Sequence, residues 1–122
     1  RAAKYSKERV TFGKPICENQ AIAFKLAEMA TQIDVARAML YNTARMSDNG
    51  VPFSKEATMT KLFCSEMCVR VCDMGLQIMG GYGLCDDYQV ERMYRDAKLL
   101  TIGEGTSEIC RMVIGRHVLK EY

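Results

Sequence analysis

The stretch Ile22-Ala23-Phe24-Lys25-Leu26-Ala27-Glu28-Met29-Ala30-Thr31-Gln32-Ile33-Asp34-Val35-Ala36-Arg37-Ala38-Met39-Leu40 decides the fold. Ile22, Leu26, Met29, Ile33, Ala36 and Leu40 follow a 4,3,4,3,4 spacing, one continuous apolar seam along a helix. The spacing predicts a long helix over about 18–47. Ser47-Asp48-Asn49-Gly50-Val51-Pro52 ends it and reverses the chain. A second long helix is predicted over about 54–79, with Phe63, Met67, Val71, Met74 and Ile78 as its seam and Gly80-Gly81-Tyr82-Gly83 as its stop. A short helix near 88–95, a loop, and a final helix over 106–119 follow, the last with Ile109, Met112, Val113 and Arg116 on one side. Upstream, residues 1–10 read as the end of a helix that Thr11-Phe12-Gly13-Lys14-Pro15 breaks, because Pro15 forbids continuation. No convincing period-two alternation appears, so no sheet is expected. The expectation is an all-α, up-and-down four-helix bundle with these seams as its core.

Composition agrees with one globular domain. The chain has 122 residues, 48% hydrophobic and 26% charged, enough for a core and too apolar for a disordered tail. A net charge of +2 gives no argument for nucleic acid or an anionic membrane surface. No apolar run reaches transmembrane length, so no membrane insertion is expected. The opening Arg1-Ala2-Ala3-Lys4-Tyr5 lacks Met and already reads as helix, which suggests a piece of a larger protein. Cys64, Cys68 and Cys72 lie four apart on one helical stripe; Cys17, Cys85 and Cys110 are scattered, and His117 is the only histidine. That pattern lacks the paired spacing of a zinc site and the short loops of a disulfide framework, so half-buried free thiols in a reducing compartment are expected.

The chemistry-bearing segment is Arg95-Asp96-Ala97-Lys98-Leu99-Leu100-Thr101-Ile102-Gly103-Glu104-Gly105-Thr106-Ser107-Glu108-Ile109. Gly103 and Gly105 strip the side chains from both flanks of Glu104, which permits close approach of a ligand. Thr106 or Ser107 can cap the following helix and leave backbone N–H groups free near that carboxylate. A general base could be held against a substrate carbonyl in this way. An ordinary helix-start acid suiting the dipole accounts for the same residues.

Four segments in this order and spacing resemble the C-terminal helical domain of the acyl-CoA dehydrogenases: Glu8-Arg9-Val10-Thr11-Phe12-Gly13-Lys14-Pro15-Ile16 with Asn19-Gln20, Gln77-Ile78-Met79-Gly80-Gly81-Tyr82-Gly83, Val90-Glu91-Arg92-Met93-Tyr94-Arg95-Asp96-Ala97-Lys98, and Glu104-Gly105-Thr106-Ser107-Glu108. The resemblance covers essentially all 122 residues, and only about the last third of a typical member. It implies that 1–122 is the C-terminal helical-bundle domain of a larger flavoprotein subunit.

The resemblance implies an FAD-dependent oxidation of an acyl-CoA thioester to the 2-enoyl thioester, with electrons passing to an electron-transfer flavoprotein. Glu104 matches the base that takes the proton alpha to the thioester carbonyl. Its own backbone N–H matches one donor to the thioester oxygen, where enolate charge develops. Arg9 matches an arginine on the FAD pyrophosphate, a role suited to a guanidinium fork. Phe12 and Gln20 match neighbouring FAD contacts. Gln77, Ile78, Gly80 and Gly81 match the segment that meets the adenosine-diphosphate half of FAD. Thr106 and Glu108 match positions beside the FAD, and Gly105 a substrate contact. Gly103 stands where many members carry tyrosine, leaving room beside the acyl chain for a branched or bulky group. Arg95 and Asp96 read as a structural ion pair.

In the family the Arg9, Gln20 and Gln77 positions reach the FAD of a neighbouring subunit, which implies a homotetramer or homodimer. A mitochondrial matrix or a bacterial cytoplasm suits the reduced cysteines. An acyl-CoA oxidase or a non-catalytic helical oligomerisation domain fits the same fold. The 122 residues alone are expected to be inactive, because the rest of the flavin and acyl-CoA sites lies outside them.

Overall fold

The chain runs α1 (Ala2–Glu8), β1 (Val10–Thr11), β2 (Lys14–Pro15), α2 (Gln20–Asp48), α3 (Ser54–Met79), α4 (Val90–Leu99) and α5 (Ser107–Glu121), in a computed structural model that describes all 122 residues. Short turns of 3-10 helix fill 16–18, 80–84 and 86–88. The all-α bundle expected from the seams is the observed fold. α3 is its central column, packed against α1, α2, α4 and α5.

Cross-helix contacts set the direction of α2. Thr43 faces Thr60 at 2.8 Å, Cys64 Sγ lies 3.8 Å from the Ala36 carbonyl, and Arg70 donates to Gln32 at 3.3 Å. Partners rise on α3 as they fall on α2, so the two helices are antiparallel. The reversal uses Asn49-Gly50, with Gly50 at φ 66° and the Val51 N–H closing onto the Met46 carbonyl at 2.9 Å. α5 also runs antiparallel to α3. Ion pairs join Lys55 to Glu121 and Glu66 to Arg111, each at 2.6 Å.

Two predicted boundaries move. The first helix ends at Glu8, and the helix expected near 88–95 occupies Val90–Leu99, because Gln89 sits at φ 56° and blocks an earlier start. The expectation of no sheet is corrected by a two-residue hairpin, Val10 opposite Pro15 and Thr11 opposite Lys14. Its tip is Phe12-Gly13, both at positive φ (50° and 80°), as a type I′ turn requires. Two-residue strands are too short to print an alternation.

The Arg95–Asp96 pair is also corrected. Arg95 bonds Glu91 at 2.7 Å and Asp96 meets Arg92 at 3.6 Å. Neighbours four apart share a helix face; adjacent residues do not.

The seams are core only in part. Ala2, Ile16 and Ile78 form the buried cluster, with Tyr5, Ile22, Leu26 and Met29 packed on it. Further along α2, Ile33 and Leu40 are exposed, because that half of α2 has α3 on one side and no helix on the other. On α5 the buried residues are Ser107 and Cys110, while Ile109, Met112 and Arg116 of the predicted row are exposed. α5 carries apolar residues on several sides, so its sequence does not single out one row.

Only 16 of 122 residues are buried, and the accessible surface is 8280 Å². A self-contained protein of 13.8 kDa exposes about 6,600 Å². Large apolar side chains stand exposed on helix faces, Phe24, Leu40, Tyr41, Leu99 and Leu119 among them. No helix is long and apolar enough to cross a membrane.

Candidate active site and cofactor surface

The loop between α4 and α5 is built from successive turns. Thr101, Ile102 and Gly103 donate their N–H groups back to Lys98, Leu99 and Leu99, the last at 2.8 Å. The chain then changes hand. Glu104 lies at φ 56° and Gly105 at φ 99°. A left-handed glutamate is uncommon and costs free energy, of order 1 kcal/mol. At Gly105 any side chain would add further strain.

Two contacts hold this geometry. The Lys61 ammonium on α3 donates to the Gly105 carbonyl, and the Ser107 N–H closes onto the Thr101 carbonyl at 3.0 Å. Thr106 is the N-cap of α5, its hydroxyl accepting from the Ile109 N–H at 3.3 Å. The N–H of Glu104 itself makes no hydrogen bond within the chain. Its carboxylate is exposed and makes no ion pair. One residue therefore presents a free acid and a free N–H donor together.

Glu104 and Gly103 line the rim of a groove of about 810 Å³. Ile33, Ala36 and Leu40 of α2 and Cys64, Met67 and Cys68 of α3 make its apolar wall. Burial pushes the Cys64 thiol up from its ordinary pKa, with Cys68 adding to the shift. Cys72, farther along the stripe, is pushed up to about 11, first by burial and then by Cys68. These thiols are protonated at neutral pH and act as small apolar groups. All six cysteines are free, and no three His, Cys, Asp or Glu side chains are arranged to hold a metal ion.

A second groove, about 420 Å³, gathers four other predicted residues: Arg9, Ile78, Gly80 and Gly81. Gly80 ends α3 at φ 58°, and a Cβ built on either glycine would meet nothing within 4 Å. The backbone there is open to close approach. Arg9 makes no ion pair; its guanidinium lies 5.2 Å from the centre of the Tyr82 ring. A free cation beside open backbone suits a diphosphate. Ile78 is buried and forms the groove's apolar floor.

Thr106 and Glu108 line a third groove with Lys98 and Arg70. The Glu108 carboxyl is held below its usual range, first by its own backbone N–H and then by the Thr106 hydroxyl. Gln20 begins α2 and Gln77 lies in the last turn of α3, both exposed and outside these grooves. Phe12 stands wholly exposed at the hairpin tip, and Gly105 lies behind Glu104 on Lys61.

Residues 1–119 match the family model for the acyl-CoA dehydrogenase C-terminal domain. The chain belongs to the acyl-CoA dehydrogenase family. It is 57% identical over 95% of its length to the Bacillus subtilis protein named "Probable acyl-CoA dehydrogenase YngJ", covering 30% of that protein. It is 49% identical to the caffeyl-CoA reductase-Etf complex subunit CarC of Acetobacterium woodii, over 98% of the chain and 32% of that subunit. The butyryl-CoA dehydrogenase structure from Megasphaera elsdenii superposes with a TM-score of 0.95 at 46% identity, over 97% of this chain and 31% of that one. The chain thus spans about 30% of the length of such relatives.

The family is one of FAD-dependent oxidoreductases, and in this acyl-CoA dehydrogenase domain the sequence reading missed two supports. Lys61 carried no motif, since its role depends on a turn 44 residues away. Tyr82 stood inside the glycine-rich segment, but Arg9, whose guanidinium lies over its ring, is distant in sequence. Only folding brings either pair together.

Proposed function

We propose that this chain supplies the catalytic base and part of the flavin surface of an enzyme that interconverts an acyl-CoA thioester and its 2-enoyl thioester. The observation that carries the reading is the left-handed Glu104, with its carboxylate and its N–H both free. In the oxidative direction Glu104 takes the proton from the carbon alpha to the thioester carbonyl. Its N–H donates to the thioester oxygen, where negative charge gathers as that proton leaves. Thr106 and Lys61 hold the backbone that orients both groups. In the reductive direction the protonated Glu104 returns the proton, so one geometry serves either direction. The relative named as a caffeyl-CoA reductase subunit makes the reductive direction a reading to be tested too.

Bound FAD would supply the acceptor for the hydride that leaves the beta carbon. Arg9, Gly80 and Gly81 suit its pyrophosphate, since they combine an unpaired guanidinium with open backbone. Gln77 and Ile78 complete the adenosine-diphosphate side, Phe12 and Gln20 make neighbouring FAD contacts, and Thr106 and Glu108 lie beside the FAD. Glu108 keeps its charge at neutral pH there. Gly103 and Gly105 adjoin the substrate, and Gly103 leaves space for a branched or bulky acyl group.

The excess surface and the large apolar side chains exposed on it support two further parts of the reading. Residues 1–122 form one domain of a longer subunit, and the open faces of α2 and α5 are covered by the remaining polypeptide and by neighbouring copies in a homotetramer or homodimer. The electron partner is an electron-transfer flavoprotein, in line with the Etf named in one relative's complex. Free thiols suit a bacterial cytoplasm or a mitochondrial matrix.

The test is turnover of an acyl-CoA panel, with an artificial electron acceptor, by the full-length parent protein. Oxidation of at least one thioester supports the reading. FAD binding without turnover of any thioester in either direction favours the non-catalytic bundle.

A further inference from the structure

We infer that Tyr82 is a positioning residue for the cofactor: its ring holds the Arg9 guanidinium ready for the FAD pyrophosphate. The inference rests on the proposed role of Arg9.

Arg9 begins with a fixed backbone. Its N–H donates to the Tyr5 carbonyl at 2.8 Å, and its carbonyl accepts from the Ile16 N–H at 2.9 Å. Beyond Cβ the side chain has no hydrogen bond or ion pair, so its long stem would otherwise sample many rotamers. Its head lies over the Tyr82 ring, 5.2 Å from the ring centre. A cation over an aromatic face is attracted by the negative charge of that face. The contact uses none of the guanidinium's N–H donors in a hydrogen bond, and they stay free to fork onto two phosphate oxygens.

Tyr82 is itself held. Tyr88 packs edge-on against it, ring centres 5.8 Å apart, and Tyr5 lies at 6.0 Å with a 46° tilt. Tyr5 and Tyr88 meet edge-on at 6.0 Å and close the triangle. Arg1 donates to the Tyr88 carbonyl at 2.7 Å and ties that corner to the start of α1. The three tyrosines come from α1, the glycine turn after α3 and the turn before α4. The cluster therefore fixes Arg9 against the segment that carries Gly80 and Gly81. Arg9, Tyr82 and both glycines line the same groove.

The step is binding alone, with no bond made or broken. It is tested by FAD affinity, titrating FAD into the apo form of the full-length protein and reading flavin fluorescence. The variants are Arg9→Ala, Tyr82→Leu, Tyr82→Phe and the Arg9→Ala/Tyr82→Leu double. Tyr82→Leu is expected to weaken FAD binding about three- to tenfold, the range of a partly exposed cation–aromatic contact. Tyr82→Phe keeps the ring and is expected within about twofold of the parent. In the Arg9→Ala background Tyr82→Leu is expected to add less than about twofold, because the group it positions is gone. Tyr82→Met, also without a ring, replaces Tyr82→Leu if the latter does not fold. If Arg9→Ala leaves FAD affinity unchanged, the reading of Arg9 falls and this inference with it. If Arg9→Ala weakens binding while Tyr82→Leu either does not or weakens it equally in both backgrounds, Arg9 stands and the positioning role is overturned.

Discussion

The ammonium of Lys61, about two turns into α3, hydrogen-bonds the backbone carbonyl of Gly105, the residue that follows Glu104. The central helix thereby fixes the one turn in which a glutamate takes a left-handed conformation. A hydrogen bond from a charged group is worth about 1.5–3 kcal/mol when made, less here because Lys61 is half-buried.

Removing that contact tests whether it serves catalysis. Lys61→Met keeps the length and removes the donor. Turnover is expected to fall about tenfold with KM little changed, since the loss bears on the placement of the base rather than on substrate affinity. Steady-state kinetics of the full-length protein reads it. An unchanged kcat would make the bond merely structural.

Gly103 adjoins Glu104 in the lining of the larger groove. It is not at positive φ, and a Cβ there would come 3.4 Å from the Leu99 carbonyl oxygen, an ordinary contact. Gly103→Tyr is therefore compatible with the backbone and places a ring at the groove rim. The ratio of kcat/KM for straight-chain over branched or aryl thioesters is expected to rise at least tenfold. A flat substrate profile would remove Gly103 from the specificity of the enzyme.

The helices were legible because long seams need only periodicity, and the seams of α2 and α3 run for many turns. What escaped the sequence had one of two causes. The Val10–Pro15 hairpin is too short to show a period. Lys61–Gly105 and Arg9–Tyr82 join residues far apart in sequence. The exposure of Ile33, Leu40, Ile109 and Met112 has a related origin: an apolar seam says that something covers it, but not whether that cover lies within these 122 residues. The candidate site was legible as residue types in order. The unpaired Glu104 N–H was legible only as an expectation drawn from a family resemblance.

The Thr43–Thr60 hydroxyl pair between α2 and α3 has a directional reading. Thr43 donates to the Met39 carbonyl at 3.0 Å, so in the 2.8 Å contact Thr60 is the donor. Thr60→Val removes one net hydrogen bond, about 1 kcal/mol. Thr43→Val strands the buried Thr60 hydroxyl and is expected to cost about 2 kcal/mol, with the double variant recovering part of that loss. Denaturant titration of the chain reads all three. Equal losses for the two single variants would contradict the assigned direction.

The thiol stripe gives a pH signature. With Cys72 pushed up to about 11, its thiolate is scarce at pH 8. Alkylation of Cys72 at pH 8 is expected to be about a hundredfold slower than that of a short unstructured cysteine peptide. A thiol whose folded pKa is raised favours the folded state below its ordinary value near 9. That contribution is lost as pH rises from there through 11. Mass-spectrometric labelling between pH 7 and 10 follows Cys72 beside that peptide. Equal rates would mean that α3 does not bury the stripe.

The central claim is that Glu104 is the base, and Glu104→Gln in the full-length protein addresses it directly. The amide keeps the size and the backbone N–H but cannot take a proton. Turnover of the preferred acyl-CoA is expected to fall about a thousandfold or more while FAD stays bound in full. Retention of substantial turnover by a variant still loaded with FAD would contradict the account and leave Glu104 as an acid that merely begins a helix.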